Sequence, residues 1–201
     1  RGGAARRIVS GRGLLPRAHG RARTADVPPS PRGQAPSLRA WVRWVRDRPG
    51  ASTPDWRENV DALRPVTAVL WQRLSQGDRR RFLRHLRPYW DVHRHRMAPA
   101  VAEAVGVLGR TRRLLVVPAR LAGAFGRAAG GVDVDLVPRH AREKRTVSAR
   151  FVVNATGPET DVTRARSPLL QQMLTAGIVR PDPLRLGLDA TLDGALLDGA
   201  G

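Results

Sequence analysis

The run Phe151-Val152-Val153, followed by Asn154-Ala155-Thr156-Gly157-Pro158, constrains the fold more than any other stretch of the chain. An aromatic and two β-branched residues in a row have the pattern of a short buried strand. Gly157 lets the backbone turn or approach another group closely, and Pro158 cannot continue a ladder. An apolar strand ending in small residues and a glycine is how α/β sheets bring main chain to a ligand at their carboxyl edge. A core strand closed by an ordinary turn accounts for the same text, so the motif alone leaves both readings open.

With 201 residues, the chain has room for one large domain or two small ones. Cysteine is absent, which excludes a disulfide framework, a thiolate nucleophile and Cys-based zinc or iron–sulfur sites. No apolar run approaches the ~20 residues that span a bilayer. The opening Arg-Gly-Gly-Ala-Ala-Arg-Arg lacks the apolar centre of a signal peptide. The expected localisation is the cytoplasm. Residue 1 is Arg, and the chain closes on Asp198-Gly199-Ala200-Gly201, so the expectation is an internal fragment.

The formal net charge of +19 raises nucleic acid or an anionic surface as a partner. Two features oppose that. Lys144 is the single lysine among 36 basic residues, and the arginines are spread along the chain rather than gathered in one stripe. Arginine still suits phosphate through its bidentate fork.

Residues 6–10 read as a short strand. Gly11-Arg12-Gly13-Leu14-Leu15-Pro16 follows, a near miss to the G-x-G-x-x-G fingerprint. Pro16 replaces the third glycine, and no helix pattern follows, so the helix N-terminus that would hold a pyrophosphate is missing. Residues 20–36, with Pro28-Pro29-Ser30-Pro31, read as a linker.

Helices are expected next. Ser37 caps a helix to about Arg48, with Leu38, Trp41, Val42 and Val45 on one face. Pro49-Gly50 ends it, and Ser52-Thr53-Pro54-Asp55 opens a second helix with Trp56, Val60 and Leu63 inward. Pro65 interrupts. Val66, Val69, Leu70 and Leu74 carry a third helix. Ser75 opens a fourth, with Phe82, Leu83 and Leu86 inward, and Pro88 is expected to kink or end it. The Trp and Leu stripes read as faces packed on a core.

Residues 79–99 are the most distinctive block: Arg-Arg-Arg-Phe-Leu-Arg-His-Leu-Arg-Pro-Tyr-Trp-Asp-Val-His-Arg-His-Arg-Met-Ala-Pro. His93 and His95 are two apart and cannot share a helix face, and Arg94 and Arg96 would repel a dication. No metal is expected. Tyr89, Trp90 and His93 are candidates to line a substrate pocket, with Arg94 or Arg96 meeting a carboxylate or phosphate. A solvated basic helix explains the same text.

Pro99 starts another helix, with Val101, Ala102, Val105 and Leu108 inward, ended at Gly109. Leu114–Val117 reads as a strand and Gly123–Gly131 as a flexible loop. Residues 132–137 alternate with period two, a half-buried strand, and Thr146–Ala149 pairs with it as a hairpin. Ser167–Ala176 reads as a helix closed by Gly177. Residues 178–183 lead to Leu184–Asp189.

Several of these segments resemble one family. Val-Val-Asn-Ala-Thr-Gly-Pro is similar to the Ala-Thr-Gly motif of flavoproteins that carry both an FAD and an NAD(P) domain. The segment Ile8–His19, the block Phe82–Pro99 and the Gly187-Leu188-Asp189 text are similar to bacterial FAD/NAD(P)-binding proteins, flavin monooxygenase-like, and the resemblance implies that Leu184–Asp189 contains the Gly-Leu-Asp strand that in the family precedes the last FAD-contacting part. The resemblance implies an α/β fold of partial FAD/NAD(P)-binding Rossmann type with a helical insert. Its parts would be 1–36, a remnant of the nicotinamide-binding domain and a loop; 37–110, the insert; and 111–201, a sheet-containing return into the FAD-binding domain. It implies FAD and NAD(P)H as cofactors. Asn154, Ala155, Thr156, Gly157 and Pro158 would lie against FAD, and Ser10 and Arg12 would meet the adenosine ribose or its 2′-phosphate. Both glycine-rich fingerprints of the family are absent from this chain. It is expected to bind FAD weakly or not at all alone.

No serine sits in a G-x-S-x-G elbow, carboxylates are not paired for glycoside hydrolysis, and there is no P-loop, so no catalytic residue is assigned. The preferred reading is part of a flavin- and NAD(P)-dependent oxidoreductase. A monooxygenase acting on a small polar or heteroaromatic compound is one form of it. The alternative is an Arg-rich nucleic-acid-binding module that uses residues 37–48 and 78–87.

Overall fold

The computed structural model describes residues 6–20, 37–47, 56–141 and 143–200. The Pro28–Pro31 linker, the Pro49-Gly50 stop and the Ser52–Asp55 cap lie outside them. The chain divides into two compact units, Arg1–Val152 and Val153–Gly201.

The first unit is mixed α/β, with helices and a four-stranded mixed sheet ordered β1-β2-β3-β4. β1 (Arg6–Ser10) is the strand expected from the sequence, and it runs parallel to the first half of β2 (Leu114–Gly126), from Arg6 opposite Leu114 to Ser10 opposite Pro118. A parallel pair needs a crossover, and here the crossover holds all the helices described in this unit. From Ala119 onward β2 pairs antiparallel with β3 (Val132–Pro138), which pairs with β4 (Arg145–Ala149). Ala119, Val134 and Leu136 are buried at the centre, with Val117, Val132 and Val147 packed on them.

Two strand expectations are corrected. Gly123–Gly126 is strand rather than loop, because β3 continues to pair with it past a register shift between Leu121 and Gly123; glycine in a strand commonly marks such a bulge. Phe151–Val153 is not a buried strand. It joins no ladder, and Phe151 and Val153 are 75% and 86% exposed. The ladder ends where Ala149 meets Val132, the first residue of β3, so nothing remains for Phe151 to pair with.

The helical layer holds α1 (Leu38–Asp47), α2 (Trp56–Leu63), α3 (Thr67–Arg73), α4 (Gln76–Arg81), α5 (Arg87–Arg94) and α6 (Pro99–Arg110). The Ser37 hydroxyl accepts the Ala40 N–H at 3.2 Å, and Asp78 Oδ2 accepts the Leu38 N–H at 3.2 Å, so two acceptors close the start of α1. Pro65 lies in a 3₁₀ turn, Arg64–Val66, that separates α2 from α3. Val69 and Val101, expected inward, are 46% and 52% exposed. Pro88 does not end the helix. A π-helical turn at Phe82–Leu86 precedes it, and Pro88 falls in the first turn of α5. The wider turn makes room for a ring that would clash with the carbonyl four residues back.

The layer's core is Trp41, Leu63 and Leu74, with Leu38, Trp44, Val45, Leu70, Trp71 and Trp90 packed on it. The strand-to-helix segment after β1 is laced to the end of α5. Arg17 N donates to Val92 O, Met97 N to Arg17 O and His19 N to Met97 O.

In the second unit, Asp161 caps a 3₁₀ turn (Val162–Arg164) and Ser167 caps α7 (Pro168–Thr175), with Gly177 at φ 70° beyond it. This is the helix expected there. Leu184–Asp189 is a turn with one bridge, Pro181 to Leu188, rather than a strand. Asp182 Oδ2 accepts the N–H groups of Leu184 and Leu186, which folds the segment back on itself.

Candidate aromatic cavity

The seven residues assigned to cofactors fall in different units. Ser10 and Arg12 end β1 and open the following loop. Asn154 to Pro158 form an exposed turn, and no helix starts after it before residue 162. In that turn the Asn154 carboxamide oxygen accepts the Thr156 N–H at 3.1 Å and hydroxyl at 2.8 Å, a local Asx turn. Gly157 adopts φ 80°, a conformation that favours glycine even though a Cβ at this position would meet nothing within 4 Å. The Ser10 carbonyl accepts the Gly13 N–H at 3.1 Å.

Arg12 points to the helical layer. Its Nη2 donates to the Arg84 carbonyl at 2.9 Å, and its guanidinium lies 5.5 Å from the Tyr89 ring centroid. To meet a 2′-phosphate it would have to share or release these contacts. A pyrophosphate needs several convergent N–H donors at a helix N-terminus. Residues 11–20 run on as loop, and the Thr156 N–H is already bonded. The described residues do not by themselves fit a dinucleotide.

The helical layer contains a more developed site. A cavity of about 580 Å³ lies among α1, α2, α3, the π turn and α5. Only nine residues of the chain are aromatic (five Trp, one Tyr, three Phe). Six of them line this one space: Trp41, Trp56, Trp71, Phe82, Tyr89 and Trp90. Their rings meet edge to face, with centroids 5.8 Å apart for Trp71 and Phe82 and 6.5 Å for Phe82 and Trp90. The His93 ring stands at 89° to Trp56 with centroids 4.6 Å apart. Edge-to-face geometry is the favourable arrangement for such rings.

Arginines back the rings. Arg57 and Arg96 lie 4.5 and 5.2 Å from the Trp56 centroid, and Arg79 lies 5.6 Å from that of Trp71. Each is held by the chain itself. Arg57 Nε and Nη2 donate to Ala18 O, and Arg79 Nε and Nη2 donate to the carbonyls of Trp71 and Gln72. Arg96 makes a two-pronged pair with Asp61, at 3.0 and 2.9 Å, and donates from Nε to His93 O. Its side chain is only 6% exposed. The expected role of Arg96 as a ligand for a substrate anion is therefore corrected: Asp61 holds it.

Tyr89, Trp90 and His93, the candidates for a pocket wall, all line the cavity. The contributions of Trp41, Trp56, Trp71 and Phe82 go beyond that expectation, because rings at helical spacing also describe a core. The usable signal is their concentration between residues 41 and 90 of a chain otherwise poor in rings. Among the described residues, no cluster of three or more His, Asp or Glu is placed to hold a metal, and no helix is long and apolar enough to cross a membrane.

Comparison with protein-family models, curated proteins and solved structures finds no match for this chain.

Proposed function

We propose that this chain is part of a flavin- and NAD(P)-dependent oxidoreductase, in which the helical layer between β1 and β2 holds the organic substrate. One observation carries the reading. Tyr89, Trp90 and His93, from the block on which the family resemblance chiefly rests, line a ring-walled cavity of about 580 Å³, a volume suited to a small organic molecule. The parallel β1–β2 pair with helices in its crossover supports it further, as the arrangement by which α/β proteins build ligand crevices. FAD and NAD(P)H would be held mainly by sequence outside this chain, and a bound flavin would supply the redox chemistry. Within the class, a monooxygenase on a heteroaromatic compound suits the ring-lined wall better than one on a small polar compound.

The nucleic-acid reading is weaker. Of the arginines it would use, Arg79 is engaged with the carbonyls of Trp71 and Gln72, while Arg39, Arg43, Arg46, Arg80 and Arg84 are exposed; what weighs against it is that these exposed guanidinium groups come with no nucleic-acid-binding motif.

The test is the protein made from the complete open reading frame, purified and reconstituted with FAD. Bound flavin that NAD(P)H reduces is the expected result. No flavin binding and no NAD(P)H oxidation would overturn the reading. The 201-residue chain alone is expected to bind FAD weakly or not at all.

A further inference from the structure

We infer that the ring-lined cavity and a basic cleft beside it together take a carboxylate with a flat aromatic body, the body against the rings and the carboxylate at Arg39 and Arg81. This deepens the substrate side of the proposed function and rests on the cavity being its substrate site; the flavin does not enter the argument.

The cavity is a half-open groove, and its apolar wall runs on into a second open space between α1, α4 and the π turn. Leu38, Val42 and Leu86 line both, so the two form one continuous surface. The rings stand on the first part, and their edges and faces together suit a flat aromatic group. The second part carries Arg39, Arg81, His85 and Ser37, with Asp78. A surface that passes from apolar to basic along its length matches an apolar body joined to an anionic head.

The charges set the sign of that head. Among the described residues that line either space, Asp78 is the only carboxylate. Both its oxygens are taken: Oδ2 accepts the Leu38 N–H at 3.2 Å, and Oδ1 accepts from Arg81 Nη1 at 3.0 Å. Arg81 keeps Nε and Nη2 for another partner, and its side chain is 73% exposed. Arg39 is exposed and has no hydrogen-bond or ion-pair partner among the described residues. Ser37 Oγ accepts the Ala40 N–H, which leaves its own O–H to donate. The cleft therefore offers donors. With His85 neutral, two guanidinium groups against one aspartate leave one positive charge, which matches a monoanion such as a carboxylate. An exposed guanidinium alone holds an anion weakly; the apolar wall beside this pair adds the burial of the ligand's body. Arg43 and Arg80 are also exposed but line neither space, and Arg46 lines the ring-lined part alone. These three separate the cleft from the general positive charge of the chain.

The 201-residue chain is titrated by calorimetry with 6-phenylhexanoate, 6-phenylhexan-1-ol, 6-phenylhexylamine and hexanoate. The first three share a body and differ in carrying an anionic, neutral or cationic head; the last keeps the head and lacks the ring. The expected result is binding of 6-phenylhexanoate at least about tenfold tighter than the alcohol, the size of one charge-assisted hydrogen bond, with the amine weakest. Hexanoate is expected to bind at least about tenfold more weakly than 6-phenylhexanoate, because the ring is no longer buried. In Arg39→Gln/Arg81→Gln the preference for the acid over the alcohol is expected to vanish while alcohol binding holds. The charge-matched variant Arg43→Gln/Arg80→Gln is expected to keep it. Arg39→Gln alone breaks no contact among the described residues and decides the matter if the double variant fails to fold. Equal binding of acid and alcohol, or equal loss in the two double variants, would overturn the cleft as the head site. Loss in Arg46→Gln in place of the Arg39 variants would overturn it too. Hexanoate binding as tightly as 6-phenylhexanoate would overturn the groove as the site of the body, and no binding of any probe to the folded chain would overturn both. Loss of the flavin reading would leave these titrations unchanged, and failed titrations would leave flavin binding by the complete protein unchanged.

Discussion

Arg12 donates from Nη2 to the main-chain carbonyl of Arg84 at 2.9 Å, across 72 residues of sequence. Arg84 stands four positions before Pro88, which has no N–H to return to that carbonyl. The proline thus frees an acceptor in the π turn, and the arginine after β1 occupies it. This ties the segment after the first strand to the helical layer. Arg12→Ala is expected to cost about 1 kcal/mol. In a Pro88→Ala background the new N–H competes for the same carbonyl, so the cost should fall by about half. A double-mutant cycle by urea denaturation measures this coupling, and strict additivity would show that the two residues act separately.

Arg96 and Asp61 differ in how buried they are, at 6% and 30% side-chain exposure. Asp61→Ala leaves a buried guanidinium without its anion and is expected to cost about 3 kcal/mol, the range seen when a buried pair loses one member. Arg96→Met leaves a carboxylate that water reaches and is expected to cost about 2 kcal/mol. Denaturant midpoints of the two variants give the order.

Lys144, then Thr146, hold the Asp135 carboxyl below the usual carboxylate range by hydrogen bonding to it, against the opposing effect of burial. The Leu38 N–H, then Arg81, do the same for Asp78 at the start of α1. A carboxylate whose native value is lowered adds stability above its unfolded value, and that stability is lost as pH falls through the native value. The melting temperature should therefore decline as pH drops below the ordinary aspartate value. It should decline less in Asp135→Asn, measured by circular dichroism at a series of pH values. Parallel curves would show that Asp135 adds nothing to the acid sensitivity.

Gly131 adopts φ 90°, and a Cβ there would lie 2.8 Å from the Ala149 carbonyl oxygen. Both the left-handed backbone and the β4 main chain oppose any side chain. Gly131→Ala should destabilise the first unit by about 1–3 kcal/mol. Gly126→Ala, at the end of β2 with nothing within 4 Å of its Cβ position, should change stability little. Thermal melts of the two variants provide the comparison.

What the sequence makes legible is local. Ser37, Ser75 and Ser167 each stand before a helix, and their hydroxyls accept the N–H groups of Ala40, Asp78 and Leu170. The period-two run at 132–137 forms the hairpin strand it suggests. Phe151–Val153 has equally strong strand composition, but a strand exists only where a partner lies alongside, and composition does not report where β3 begins. Pro88 is legible as a disturbance, not as a π turn, because the outcome depends on which neighbour takes the freed carbonyl. The cavity is half legible. Residues 89–93 stand out by their odd text, whereas Trp41, Trp56 and Trp71 have the spacing of core positions, and periodicity does not distinguish a packed core from a lined space.

The rings of the helical layer are proposed to surround a ligand site. Proton–nitrogen NMR of the five indole Nε1–H groups tests this directly, with 6-phenylhexanoate added to the 201-residue chain. Trp56, Trp71 and Trp90 line the cavity, whereas Trp44 packs against Trp41 outside its lining. Saturable shifts at Trp56, Trp71 and Trp90, with Trp44 moving least, are the predicted result. Unchanged indole signals in a folded chain, or shifts confined to Trp44, would contradict it and return the rings to the role of a core.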